Sequence, residues 1–240
     1  MNFPIGIQLY SVRDAMEKDF EGTLAYISEI GYNSVEFAGF WGYSAEDVKT
    51  LLNKYNLKVS STHSPLDDLI NKYDETVAFH KTIGNKNYII PWYDLSDQKK
   101  LDYFIENVNV INKKLAEDGI TLAYHNHAQE FIMNPDGSVA FEQLLYRTNI
   151  MLEVDTYWAF VGMKNPPELL DRIHDRVHFV HIKDGTANSE GKPLGMGEAP
   201  VKDVVAKCSQ YGFEMVVESE TCTPDGPTEA KICIDYLRSL

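Results

Sequence analysis

Short apolar, β-branched runs recur along the chain, and each precedes a stretch whose apolar positions fall every three or four residues. The first pattern predicts strands and the second amphipathic helices. Strands are expected at 5–10, 34–40, 57–64, 87–92, 120–127, 150–158, 177–184 and 213–220. Helices are expected at 20–30, 44–55, 66–83, 97–118, 141–146, 167–173, 201–211 and 228–240, several stopped by a glycine such as Gly31, Gly84 or Gly119. Residues 44–47, SAED, have the spacing of a capping box. Eight strand–helix units in 240 residues leave about 30 residues for each (240/8). Such alternation implies parallel strands joined by right-handed crossovers. Eight repeats then predict an α/β fold closed as a (β/α)8 TIM barrel, a single domain over 1–240. A doubly wound open sheet would show a glycine-rich turn after its first strand, where this chain has YSVR at 10–13.

In such barrels the chemistry sits at the C-terminal ends of the strands. The polar residues falling there are Gln8 and Tyr10, Glu36, His63, Trp92, His125 and His127, Asp155, His181 with Lys183, and Glu218. Period-two alternation puts His125 with His127, Glu153 with Asp155, and His181 with Lys183 on shared faces. Singly, each residue has a plain alternative: a lone His is often a hydrogen-bonded core residue, and a strand-end Glu often caps the next helix. His80, His174 and His178 fall on helices, a connection or a strand start and are expected to be structural. Asp155, His181 and Glu218 differ, because each terminates a successive strand and all three converge at the mouth. Carboxylates with an imidazole suit one divalent ion, Mn, Mg, Co or Zn. Such an ion would stabilise the negative charge left by removing a proton beside a carbonyl. His125, His127, Lys183 and Glu36 are the candidates for moving that proton. Gln8, Tyr10, His63 and Trp92 are the candidate substrate contacts, and Trp92 in particular offers a face for a sugar ring.

Charge narrows the partners. With 22 Lys+Arg against 36 Asp+Glu the net charge is −14, which disfavours a nucleic-acid or anionic-membrane partner. No signal peptide and no membrane-length apolar run is visible. Cys208, Cys222 and Cys233 lack CxxC spacing and are expected to be free thiols in a reducing, cytoplasmic setting. The glycine- and proline-bearing stretch at 185–200 is expected as the seventh loop, either a plain surface loop or a lid or phosphate-binding loop.

At these residues the chain resembles the xylose isomerase-like sugar phosphate isomerase/epimerase superfamily, which also includes endonuclease IV and inosose dehydratase. GIQLYSVRD, YHNHAQEF, LEVDTYWA, HIKD with the following PLGMGE, and VVESE carry the likeness over essentially the whole chain. The resemblance implies one metal ion held by residues of the fifth to eighth strands, and carries Asp155, His181 and Glu218 over as ligands. Many relatives end the fifth strand in Glu, where this chain has His125. Members with the HNHxxEF form have a Glu five residues later, here Glu130, which is the expected fourth ligand, His125 or His127 coordinating otherwise. The implied function is a metal-dependent isomerase or epimerase, or a dehydratase or lyase, acting on a keto-sugar, an inosose or a sugar phosphate. The alternatives are a non-catalytic sugar-binding subunit and an endonuclease IV-like repair enzyme. Dimers are common among such barrels, and by that analogy alone a homodimer is one possible assembly, the oligomeric state being left open.

Overall fold

A computed structural model describes residues 4–240. Eight parallel strands are β1 (Ile5–Gln8), β2 (Ser34–Ala38), β3 (Lys58–His63), β4 (Asn87–Ile90), β5 (Thr121–His125), β6 (Met151–Asp155), β7 (Val177–Ile182) and β8 (Glu214–Val217). They pair in sequence order, and β8 returns to β1 with Ile5 opposite Met215, so the barrel closes as expected.

The pleat sorts each strand into two faces. Leu152 and Val154 of β6, with Val180 and Ile182 of β7, join the apolar layer beneath the helices. Ile89, Ala123, Phe179 and Val216, from β4, β5, β7 and β8, pack together as an apolar plug inside the barrel. Two residues beyond three of these plug residues stand His125, His181 and Glu218. Polar side chains therefore reach the mouth because the alternation that forms the plug is continued upward. The helices close the outside: Gln98–Glu117 buries Leu101, Phe104, Ile105, Val108, Ile111 and Leu115 on one stripe. Asp97 starts that helix by accepting a hydrogen bond from the Lys100 amide at 2.9 Å.

Several elements are shorter than the apolar runs suggest. β1 gives way at Leu9 to a 3-10 turn, Leu9–Val12. The apolar run at 150–158 ends as a strand at Asp155, whose carboxylate accepts from the Trp158 amide at 2.8 Å and so starts the helix Thr156–Val161. β5 stops at His125 and β8 at Val217, leaving His127 and Glu218 just past the strands. The expected helix at 66–83 is two helices, Leu66–Asn71 and Tyr73–Thr82, broken at Lys72 with φ −140°. Neither proline nor glycine marks that break, so the periodicity runs through it. Cys208, Cys222 and Cys233 are free thiols, the first and last buried. Among the described residues no helix is long and apolar enough to cross a membrane.

The seventh loop is an ordered turn with a small hairpin pairing Asp184–Gly185 to Gly191–Lys192. The buried Asp184 carboxylate accepts from the amides of Gly185, Gly195, Gly197 and Ala199 at 2.8–3.1 Å. A Cβ on Gly197 would lie 2.2 Å from Asp184 Oδ1, so only glycine lets the backbone approach that closely. Asp184→Ala strands these amides and is expected to cost about 2 kcal/mol or more, seen as a Tm lower by about 4–8 °C. Hydrogen exchange should accelerate within 185–200 and not across the barrel; unchanged exchange there would show that the loop holds itself without the carboxylate.

Candidate active site

The upper barrel interior holds an unusual density of buried charge. Glu36, Glu153, Asp155 and His181 are fully enclosed, and His125, Lys183 and Glu218 nearly so. Isolated charges could not be desolvated at bearable cost, so the arrangement has to supply counter-charges.

Glu153 does most of this. Its Oε2 lies 2.6 Å from His63 Nε2, 3.1 Å from His125 Nδ1 and 3.2 Å from His181 Nε2. Burial opposes its charge, yet His181 and His63 outweigh that and hold its carboxyl well below the usual range. Burial likewise disfavours charge on His181, but Glu153, Glu36 and Glu218 hold its imidazole well above the ordinary value. His125 is pushed down to about 3, first by burial, so its ring is neutral. Sequence alternation placed Glu153 beside Asp155 without a role; only the neighbouring strands reveal what it clamps.

Two sets of side chains bring ligand atoms within 4.8 Å of one another: His125, Asp155, His181 and Glu218, and also His63, His125, Glu153 and His181. Single-ion coordination at about 2.0–2.3 Å per bond suits that spacing. Each set holds a buried carboxylate oxygen without a hydrogen-bond partner, Asp155 Oδ2 in the first and Glu153 Oε1 in the second, and the sets differ instead in counter-charge. In the second, Glu153 is bonded to all three imidazoles. In the first, Asp155 faces Lys183 Nζ at 3.8 Å. An unpaired buried polar atom costs about 1–3 kcal/mol, more when charged. A cation bound to the first set would recover that cost, and two imidazoles with two carboxylates are donors that suit one.

Glu130 lies apart from both sets. A 3-10 turn, Gln129–Phe131, folds it back so that Oε1 accepts from Tyr124 Oη at 2.9 Å and Oε2 from the His127 amide at 2.8 Å. It braces the β5 loop, and His125 stands at the converging position. Glu36 is fully buried and is not on the cavity wall. Gln8 Nε2 donates to its Oε1 at 2.6 Å, Ser61 Oγ donates to its Oε2, and His181 Nε2 lies 2.8 Å from Oε1. Gln8 is also fully engaged, its Oε1 accepting from the Tyr10 amide. Both therefore orient their neighbours from inside the barrel.

Above the cluster opens a cavity of about 570 Å³ whose wall includes Tyr10, His63, Trp92, His125, His127 and Glu218. Trp92 is 56% exposed there, its face available to a ligand. Burial pushes His127 down to about 4, and its Nδ1 has no partner, nor does Trp158 Nε1 from a ring 5.9 Å away. Lys183 Nζ lies 2.9 Å from Glu220, 3.2 Å from Glu218 and 3.8 Å from Asp155. Burial opposes its charge, but these carboxylates raise its pKa and keep it an ammonium. His80 meets Thr62 and Asn85 outside the barrel and is structural, as expected.

The sequence model described as xylose isomerase-like TIM barrel matches residues 24–240. The chain belongs to that family. Among xylose isomerase-like barrels it is 23% identical to an inosose dehydratase of Mesomycoplasma hyopneumoniae strain J, over 92% of this chain and 88% of that one. A sugar phosphate isomerase/epimerase from Parabacteroides distasonis shares the fold with a TM-score of 0.88, at 22% identity over 98% of both chains. A probable 3-DHS dehydratase of Bacillus anthracis does so with a TM-score of 0.75, at 11% identity over 99% of both chains. Family membership supports an enzyme acting on sugar-type substrates.

Protonation would make cation binding at His125, Asp155, His181 and Glu218 pH-dependent in a definite direction. Burial raises Asp155 to about 7, Lys183 pulling against the rise and Glu218 adding to it. Binding must displace that proton and the one held on His181, so affinity rises with pH. Apparent Mn²⁺ affinity should fall about tenfold or more for each pH unit below 7. Calorimetry in buffers of differing ionisation enthalpy should detect at least one proton released. A pH-independent affinity between 5.5 and 7 would contradict this.

Proposed function

We propose that this chain removes the proton beside the ketone of a sugar or cyclitol, using a divalent ion held by His125, Asp155, His181 and Glu218. The observation that carries the reading is that ligand atoms of those four residues lie within 4.8 Å of one another, with His125 and Glu218 on the cavity wall and a carboxyl oxygen of Asp155 buried without a hydrogen-bond partner. Two imidazoles beside two carboxylates favour Mn, Co or Zn over the all-oxygen preference of Mg. When bound, such an ion acts as a Lewis acid on the substrate carbonyl.

The remaining steps belong to the chain. His127 is neutral and lines the cavity, so in this reading it is the proton acceptor. Lys183 stays charged and fixes Glu218 and Glu220. Glu153 and Glu36 position His181, and Glu153 also positions His125. Tyr10 and Trp92 line the wall and hold the ring. Removing a proton beside a ketone opens isomerisation, epimerisation and dehydration alike. That common step is consistent with relatives named inosose dehydratase and a fold neighbour named sugar phosphate isomerase/epimerase.

Two substitutions separate binding from proton transfer. Asp155→Asn should lose the ion, with kcat/KM on a responsive sugar ketone lower by about a thousandfold or more. His127→Ala should keep one ion per chain by elemental analysis, with kcat lower by about 10²–10⁴. Retention of the ion by Asp155→Asn, or near-normal turnover by His127→Ala, would overturn these assignments.

A further inference from the structure

The geometry points to a narrower substrate class, resting on the sugar-ketone reading above: we propose that the cavity accepts an uncharged, polyhydroxylated ketone and rejects its phosphate ester. TIM barrels commonly bind phosphate with the loops after the seventh and eighth strands. Here the seventh loop is rich in glycine, and the amides that would form such a site there are committed to the protein's own groups. The amides of Gly185, Gly195, Gly197 and Ala199 converge on the Asp184 carboxylate, which takes the place a phosphate oxygen would need. After the eighth strand the Ser219 amide donates to Ser11 Oγ, and at the start of the helix Gly226–Ser239 the Gly226 amide donates to Asp14 and that of Thr228 to Asp225.

Side-chain charge points the same way. Among the described residues lining the mouth cavity none is Lys or Arg, whereas Asp68, Glu218 and Glu220 are present. Lys183 is 2% exposed and held among three carboxylates. Arg13 donates to the carbonyls of Tyr10 and Glu220, both at 2.8 Å, while its guanidinium sits 4.2 Å from the centre of the Tyr10 ring. The first turn of helix Leu66–Asn71, which supplies Asp68 to the wall, is already acidic with Asp67 and Asp68. A phosphate dianion would enter a field of like charge, and such juxtaposition is strongly unfavourable. A neutral polyol meets the reverse: carboxylates and His127 accept its hydroxyls, and Trp92 offers a flat face to its C–H groups.

The test uses Mn²⁺-loaded protein and calorimetric binding of neutral ketoses and inososes set against ketose phosphates. The neutral compound that binds best should exceed the best ester by about a hundredfold or more, and that ratio should shrink as salt rises. An ester that binds as well as its neutral parent, or a ratio unaffected by salt, overturns the proposal while leaving the sugar-ketone reading intact. Failure of every compound in both sets overturns both. A second measurement needs no substrate: inorganic phosphate should raise the Tm of Asp184→Ala saturably, because it can occupy the freed amides, and leave the native chain's Tm unchanged. Saturable stabilisation of the native chain by phosphate at millimolar concentration would also overturn the proposal.

Discussion

The structure depends on keeping several ionisable groups buried together at the top of a closed barrel. Desolvating a single carboxylate or ammonium costs several kcal/mol even after relaxation. Glu153, Glu36, Glu218 and Asp155 are tolerable there only because His63, His181 and Lys183 stand against them. The protonation pattern follows from that balance. His181, facing three carboxylates, holds its proton; His125, facing only one of them, stays neutral. Asp155, with one oxygen unpartnered, rises to about 7. The same imbalance that leaves Asp155 short of counter-charge supports its corner of the cluster as the proposed place for a cation.

Much of this was legible in the sequence, for a geometric reason. Alternation along a strand decides which side chains enter the barrel, so Asp155, His181 and Glu218 could be grouped from strand ends alone. The eightfold repeat and the closure it implies were legible in the same way. Depth and loop path were not. Glu36 and Gln8 have the right parity, but the register between β2 and β3 shifts between Val35 and Glu36, and both side chains lie inside the barrel instead of on the cavity wall. Glu130 lies beyond the strand, where alternation has no force, and its 3-10 turn carries it to Tyr124. Glu153 had the parity of Asp155, but its partners come from β3, β5 and β7, a contact no local pattern encodes.

The seventh loop shows how a motif's chemistry can be redirected within a fold. Its glycines do create a concave array of amides, as an anion-binding loop requires. The residue that follows β7 and Lys183, Asp184, supplies the anion from within the chain and fixes the loop through four amides. A fold shared with proteins of several different names thus leaves substrate choice to the charge and shape of individual loops.

The central claim is that His125, Asp155, His181 and Glu218 form the cation site, and anomalous diffraction from crystals grown with Mn²⁺ or Zn²⁺ tests it most directly. The account predicts one strong peak within about 2.0–2.3 Å of a donor atom from each of the four, with Glu130 still bonded to Tyr124. A peak coordinated by Glu130, or one seated between His63 and Glu153 with Asp155 left unbound, would contradict it.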